Sequence, residues 1–411
     1  MTSAGRLLLF SALLAGCGDD RGGSPAAVRG AVADLSAPVF DGTTLETFSL
    51  EMAPEDWKAI VDAPGDDTFR RAAMTWRDER LADVGVRASG VTTRKPGDPK
   101  PSLRLDFDAF VPKRKWRGLE QVRLDGFFRD ETYLRDRLAY HVHRSAGLVA
   151  SRCAHARVVV NGAYVGLYGV EETVRKEILT RGWGENDGKF YELRHTQSTE
   201  PDPYRWLGSD PGLYVPYPFE PKTSATGSDH GEIVRLLDLF NNAPLAEKRP
   251  RLDAEVLDVE AFLAYLAALQ LLADYDGITA SWGSNNHYWY KPSGSHRLVL
   301  IPWDPEFSLG LFGRSPSTSL FAGMSRTSAA RWVEEDASTR SLFMARVAAL
   351  LDGPFAELPA LVDVWHAQIR DAVHAQTYHR KPVADFDAGP GRLKQWMRDR
   401  AAYVRSQIAG S

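Results

Sequence analysis

The chain has 411 residues, of which 44% are hydrophobic and 25% are charged, and its formal net charge is −4. A chain of this length can bury a large core, and it is long enough for one large two-lobed domain or for two domains. The near-balanced charge, with no polybasic run, argues against nucleic acid as a partner.

The first residues predict export and a lipid anchor. Arg6 precedes the apolar run 7–14, which is too short to span a bilayer and is typical of a secretory signal. The tetrapeptide LAGC that ends at Cys17 is similar to the bacterial lipoprotein signal, in which the cysteine after the cleavage site carries the lipid. We therefore expect a signal peptide at 1–16, a flexible tether at 17–36 and a lipid-anchored protein of the cell envelope. An ordinary signal peptide with an incidental cysteine is the alternative.

The next part of the chain predicts strands with one strong helix. Segment 130–147 has an amphipathic pattern that ends in glycine, which favours a helix. Asn161-Gly162 is the strongest turn signal of the sequence and predicts a hairpin between 156–160 and 164–170. Alternating or apolar runs predict further strands at 49–52, 82–90, 102–107 and 119–124, and a short helix is expected at 53–61.

After residue 172 the pattern becomes mainly helical. The stretch 259–273 has few polar positions, so we expect a buried helix at the centre of this region. Helices are also predicted at 173–180, at 231–241 and in most of the chain from 341 onward. Cys153 precedes an apolar strand and, with Cys17 lipidated, has no partner for a disulfide, so it is expected in the core. Strands followed by helices with one embedded hairpin predict an α+β fold.

The segment that contains Asp276, Asn286, Asp304 and Glu306 carries the candidate chemistry. Phosphoryl transfer needs one carboxylate to orient the attacking hydroxyl, and it needs an asparagine and a further carboxylate to hold Mg²⁺. Two short strands joined by a glycine-containing turn would bring Asn286 and Asp304 to the same end of a hairpin. A buried hairpin with ordinary loop acids is the alternative interpretation.

Several ordered motifs resemble the CotH kinase family, named for spore coat protein H. One is an Asn-Gly-x-Tyr-x-Gly-x-Tyr hairpin followed by an acidic residue, at 161–172, and another is Ile-Pro-Trp-Asp, at 301–304. Further matching segments lie at 84–90, 100–110, 134–148, 187–193, 276–290 and 393–404.

This resemblance implies an atypical protein-kinase-like fold of two lobes, a strand-rich one at 37–172 and a mainly helical one at 173–411. It implies binding of ATP and of Mg²⁺ or Mn²⁺ in the cleft, and transfer of the γ-phosphoryl group to a Ser or Thr of a protein substrate. Two rival functions stay open on the same scaffold, a pseudokinase and a surface binding or structural protein.

The resemblance also assigns roles to individual side chains. Asp276 is the expected catalytic base, although Asp274 competes for that role. Asn286, in competition with Asn285, is the expected metal ligand together with Asp304. Glu306 completes this predicted metal site.

A cation is needed for the phosphates, and Arg104 occupies a position where the family carries a basic residue. Arg87 and Lys100 are the other candidates. Glu172 follows the hairpin and is expected to contact the nucleotide or to orient a cation, with a salt bridge between the lobes as the alternative.

Two departures from the family pattern bear on activity. Glu306 stands where the family commonly has aspartate, and Ala88 stands where a lysine is frequent. Both substitutions favour the pseudokinase, whereas the presence of Asp276, Asn286 and Asp304 favours an active kinase.

Overall fold

The architecture is described by a computed structural model for residues 34–194, 202–223 and 229–410. Seven strands in the first part of the chain close into a barrel. They are β1 (Glu46–Met52), β2 (Arg70–Trp76), β3 (Glu79–Ala88), β4 (Leu103–Asp106), β5 (Gln121–Asp125), β6 (Cys153–Val160) and β7 (Ala163–Glu172). The strand order is β1-β2-β3-β4-β5-β7-β6, and the parallel pairing of β6 with β1 closes the barrel.

The barrel interior is apolar because alternate residues of each strand point inward. Leu103 and Leu105 of β4 belong to this core, whereas Arg104 between them faces outward. The turn between β6 and β7 is formed by Asn161 and Gly162, both with positive φ (50° and 80°), as a two-residue hairpin of type I′ requires. The predicted hairpin is therefore confirmed, and Cys153 is a buried residue at the start of β6.

The second part of the chain is mainly helical and encloses a four-stranded sheet. That sheet has the order β11-β10-β8-β9 and consists of β8 (Lys189–Leu193), β9 (Phe219–Pro221), β10 (His287–Lys291) and β11 (Val299–Pro302). The helices of the described residues are α1 (Ala37–Phe40), α2 (Pro54–Asp62), α3 (Arg135–Ser145), α4 (Lys176–Trp183), α5 (Gly231–Asn242), α6 (Leu245–Glu255), α7 (Val259–Leu271), α8 (Ser328–Glu335), α9 (Ala337–Asp352), α10 (Pro354–His374) and α11 (Val383–Ala409).

Helix α7 is the buried centre of this region, as its apolar sequence predicts, and it packs against α9 and α3. Helix α3 lies between α7 and strand β6, and α10 packs on both α3 and β7. The helical region thus covers the outer face of part of the barrel. Among the described residues, no helix combines the length and the apolar character that crossing a membrane requires.

The mixed α+β class, with strands first and helices later, is confirmed. Strands β2, β8 and β9 were not predicted, and neither was the closure of the barrel. Helix α3 begins at residue 135 rather than 130, because the carboxylate of Asp130 accepts hydrogen bonds from the backbone N–H groups of Thr132, Leu134 and Arg135 and so organises a turn.

The end of the predicted tether is fixed to the barrel. Ser36 is buried, and Asp34 forms an ion pair with Arg152 of 2.6 Å. The predicted signal peptide and Cys17 lie outside the described residues.

Candidate active site

The open end of the β10–β11 hairpin brings the predicted metal ligands together. His287 pairs with Pro302, so Asn286 and Trp303 leave the two strands side by side, and Trp303 N donates to Asn286 O at 3.0 Å. Asn286 and Asp304 both have a left-handed backbone, with φ of 54° and 49°. Asparagine and aspartate tolerate this conformation better than most residues, which explains locally why they occupy these positions.

Asp276 lies in direct contact with this hairpin end. One carboxylate oxygen accepts a hydrogen bond from Asn286 Nδ2 at 2.9 Å, and the other accepts from Trp282 Nε1 at 2.7 Å and from Asn285 Nδ2 at 3.2 Å. Burial raises the pKa of Asp276, and these hydrogen bonds oppose the rise. Asn286 Nδ2 also lies 3.4 Å from the carbonyl oxygen of Asp304, so Asn286 links the predicted base to the predicted metal loop.

Asp274, the other candidate for the catalytic base, stabilises the loop that carries Asp276. Its carboxylate accepts the backbone N–H of Asp276 at 2.9 Å, and only 7% of the residue is exposed. Burial raises its pKa to about 7. The structure therefore places Asp276, rather than Asp274, next to Asn286.

Arg123 on β5 joins the barrel to the hairpin loop, and it was not among the predicted residues. Its Nη1 atom lies 2.7 Å from Glu171 Oε2 and 2.9 Å from Asp304 Oδ1, and Nη2 lies 3.6 Å from Asp125 Oδ1. The guanidinium is buried, and burial alone lowers its pKa. The carboxylates of Asp304, Glu171 and Asp125 outweigh that effect and raise the pKa of Arg123 well above its ordinary value.

Three buried acids surround this arginine from the barrel side. Asp125, Asp136 and Glu171 come from β5, α3 and β7, and each offers an oxygen within 4.8 Å of the others. Both oxygens of Asp136 and one of Glu171 have no hydrogen-bond partner among the described residues. Burial raises the pKa of Asp136 well above its ordinary range and that of Glu171 to about 8, and in each case neighbouring carboxylates add to the rise.

Arg104, the predicted phosphate-binding cation, belongs to a row of side chains on the outer face of the barrel. Strand register places Arg87 beside Arg104, Arg104 beside Arg123 and Arg123 beside Glu171. Such cross-strand neighbours share a face of the sheet. Burial lowers the pKa of Arg104 to about 10, and the adjacent Arg87 contributes. A line of cations therefore leads towards Asp304.

Lys100 and position 88 do not join this row. Lys100 is buried with its Nζ atom 4.7 Å from the ring centroid of Tyr133 and 5.4 Å from that of Tyr168, and burial lowers its pKa well below the ordinary value. Ala88 is part of the apolar core of the barrel. A lysine at position 88 would point into that core in this chain, so the departure at Ala88 removes no phosphate contact here.

The two glutamates of the prediction have other partners. Glu172 accepts hydrogen bonds from Arg152 at 2.7 Å and from Arg181 at 2.8 Å, because it points to the opposite side of β7 from Glu171. The structure thus brings Glu171, and not Glu172, to the cluster.

Glu306 lies in the turn after Asp304 and forms an ion pair with Arg129 at 3.1 Å. Burial and the nearby Asp304 raise its pKa well above the ordinary range.

A base-like carboxylate, an Asn–Asp pair on a hairpin and a neighbouring row of arginines are groups that phosphoryl transfer uses, and they fit a kinase-like protein. The chain belongs to the CotH family, because the family model described as CotH kinase protein matches residues 86–404. The resemblance predicted from the motifs is thereby confirmed.

The chain is similar to a curated protein and to a solved structure. The chain is 20% identical to the inner spore coat protein H of Bacillus subtilis over 375 residues, which cover 89% of this chain and 98% of that protein. The crystal structure of the Helicobacter pylori proinflammatory kinase CtkA matches 84% of this chain and 93% of that chain, with 9% identity and a TM-score of 0.30.

Proposed function

We propose that this protein is a bilobal kinase that transfers the γ-phosphoryl group of ATP to a Ser or Thr hydroxyl of a protein. The observation that carries the proposal is the hydrogen-bonded set of Asp276, Asn286 and Asp304 at one end of a hairpin, with Arg123 of the barrel bound to Asp304. In the reaction the acceptor oxygen forms a bond to the γ-phosphorus, and the bond from that phosphorus to the bridging oxygen breaks. ADP leaves with the electron pair, and the hydroxyl proton passes to Asp276.

The donor atoms suit a magnesium or manganese ion. Both contacts of the Asn286 amide use its nitrogen, so its oxygen, to which no described residue donates, is left for a ligand. Asp304 gives one carboxylate oxygen to Arg123, and its side chain is 29% exposed, so the other oxygen can be reached. Hard divalent cations prefer such oxygens and retain several waters, and Glu306 would complete the set after release from Arg129. The bound ion would neutralise charge on the phosphates.

Arg104 and Arg123 are the cations that we propose for the phosphate side of the site. Arg123 contacts Asp304 on the hairpin, and Arg104 lies beside Arg123 on the neighbouring strand. A guanidinium provides two parallel donors for phosphate oxygens, which compensates for the lack of a glycine-rich loop in the sequence.

The test is incubation of the full-length protein with γ-labelled ATP, Mg²⁺ or Mn²⁺ and a generic basic protein acceptor. The matched variant is Asp304→Asn, which keeps the size of the side chain and tolerates the positive φ, whereas alanine would add backbone strain. Label in the wild type and its loss in the variant would establish a metal-dependent kinase.

A pseudokinase is the second candidate, and one observation favours it. Asp304 and Glu306 each already contact an arginine, Arg123 at 2.9 Å and Arg129 at 3.1 Å, so protein cations occupy the loop without a metal ion. A nucleotide-induced rise in melting temperature without label in any acceptor would support this reading. A surface or coat component, as the name of the Bacillus relative suggests for that protein, would give neither label nor thermal shift.

We also propose that the protein is exported and attached to a membrane of the cell envelope through a lipid on Cys17. Support comes from the LAGC tetrapeptide and from the short stretch between it and Asp34, where the barrel region begins. Metabolic labelling with a radioactive fatty acid should mark the wild type, and Cys17→Ser should lose both the label and the recovery in the membrane fraction. An unlabelled wild type would remove this proposal and leave the kinase proposal intact.

A further inference from the structure

A groove lies next to the loop that carries Asp276. Its volume is about 640 Å³, and its walls come from two stretches of the chain, 274–282 and 311–326. No lining residue comes from the barrel, so the groove is separate from the row of arginines that faces Asp304.

One wall of this groove holds the predicted base in place. Trp282 lines the groove and donates its indole N–H to Asp276 at 2.7 Å. Asp274 also lines it and accepts the backbone N–H of Asp276. A chain segment in the groove would therefore lie within a side chain's length of Asp276, which is what an acceptor hydroxyl requires.

The groove presents unpaired positive charge. Arg314 and Arg326 both line it, and neither forms an ion pair with any residue that the structure describes; the Arg314 guanidinium lies over the ring of Tyr275, 5.3 Å from its centroid. The Nε atom of Arg314 is buried without a hydrogen-bond partner among those residues. Asp274 is the only acid in the lining, so the two arginines leave a net positive charge there even when Asp274 is ionised.

The rim of the groove also exposes aromatic surface. Phe312 is 66% exposed and Trp282 is 37% exposed, although large aromatic side chains are usually well buried. Exposed aromatics beside unpaired arginines are the composition enriched in protein-binding surfaces, where the ring provides contact area and the guanidinium provides directed hydrogen bonds.

We propose, on the basis of the kinase function proposed above, that this groove binds the phosphoacceptor segment of the protein substrate. Arg314 and Arg326 select segments with acidic side chains close to the acceptor Ser or Thr. The charge complementarity of the groove is the basis of this choice, because like charges facing each other in an interface are strongly disfavoured. The substrate class is therefore an acidic, hydroxyl-bearing protein segment.

The experiment uses three peptides with the same central serine and with acidic, neutral or basic flanking residues. Binding is measured by fluorescence anisotropy of labelled peptides without ATP, and phosphorylation is measured as kcat/KM with labelled ATP and Mg²⁺. We expect the acidic peptide to bind about fivefold more tightly than the neutral one, the effect of one or two partly exposed charge pairs.

Charge reversal provides the matched variants. Arg326 is exposed, so Arg326→Glu is compatible with the fold, and its melting temperature serves as the check. Arg340 is also exposed and does not line the groove, so Arg340→Glu is the control with the same change of net charge. Arg326→Glu should weaken binding of the acidic peptide about tenfold and improve binding of the basic peptide, while Arg340→Glu should change neither.

The outcomes separate this inference from the kinase proposal. Phosphorylation of all three peptides with equal efficiency would overturn the groove inference and leave the kinase intact. Selective binding of the acidic peptide that Arg326→Glu removes, with no phosphate transfer, would support the groove and contradict the kinase. Preference for the basic peptide, or identical behaviour of Arg326→Glu and Arg340→Glu, would overturn the groove inference whatever the activity.

Discussion

Arg123 is the residue whose replacement tests the candidate site most directly, because one guanidinium bridges the barrel and the hairpin loop. Arg123→Gln removes the positive charge and leaves a polar side chain in its place. The lost contacts are those to Glu171 at 2.7 Å and to Asp304 at 2.9 Å. We expect a large loss of stability, because the carboxylates remain where the arginine no longer neutralises them.

The size of the loss follows from burial. Removing one partner of a buried ion pair costs about 3–5 kcal/mol. The lower end applies here, about 3 kcal/mol, because Asp304 is partly exposed and Glu171 can take up a proton instead of remaining charged. The urea m-value of a chain of this size is at least about 3 kcal/mol/M, so the unfolding midpoint should fall by up to about 1 M. Tryptophan fluorescence suits the assay, because Trp303 lies 5.7 Å from the Arg123 guanidinium.

A double-mutant cycle shows where the cost arises. Glu171→Gln removes the buried acid, so the double variant Arg123→Gln/Glu171→Gln should be more stable than Arg123→Gln alone. The control is Arg80→Gln, which breaks an exposed barrel pair with Glu51 of 2.8 Å and should cost less than about 1 kcal/mol. A loss for Arg123→Gln no greater than the control, or strict additivity in the cycle, would refute the account of a buried ionic bridge.

Three further predictions concern single side chains. Asp276→Asn should lower kcat much more than it weakens nucleotide binding, and equal effects on both would argue against Asp276 as the base. Asp136 has a strongly raised pKa when folded and an ordinary value of 3.8 when unfolded, so its contribution to stability falls as pH rises above about 4. The melting temperature of Asp136→Asn should therefore rise relative to that of the wild type between pH 4 and pH 8. A difference in melting temperature that stays constant over this range would contradict a buried, neutral Asp136. Burial and the adjacent Arg137 lower the pKa of His155 to about 3, so below pH 6.5 the unfolded chain takes up a proton that folded His155 does not. His155 alone should therefore cost the wild type about 2 kcal/mol of stability between pH 6.5 and 5. His155→Gln should lack that part of the acid destabilisation, and identical pH profiles would show that the histidine is not neutral in the fold.

Local signals predicted the parts of the structure that depend on local interactions. The turn at Asn161-Gly162 and the apolar run of α7 are each contained within a few residues of sequence, and both were found as predicted. The open end of the β10–β11 hairpin was predictable for the same reason, since two short strands and a turn fix which residues meet. Asn286 and Asp304 accordingly lie together.

The barrel side of the site could not be predicted in this way. Arg123, Asp136 and Glu171 come from a strand, a helix and a second strand, and they meet only because the barrel closes through the pairing of β5 with β7 and of β1 with β6. Closure depends on contacts between residues far apart in sequence, which no local pattern encodes. One signal was available, because Arg123 and Asp125 alternate with apolar residues in QVRLD, as outward-facing residues of a strand do.

The pair Glu171 and Glu172 shows that strand geometry decides which of two neighbouring acids reaches the candidate site. Consecutive residues of a strand point to opposite faces, so one of the two acids reaches Arg123 and the other is bound by Arg152 and Arg181. A shift of β7 by one residue would exchange their surroundings. The bulge between Val158 and Val159 in the β6–β7 pairing sets this register, and it lies at the other end of the hairpin. The position of the acid beside Arg123 is thus determined by a backbone irregularity distant from the site, together with the turn that precedes it.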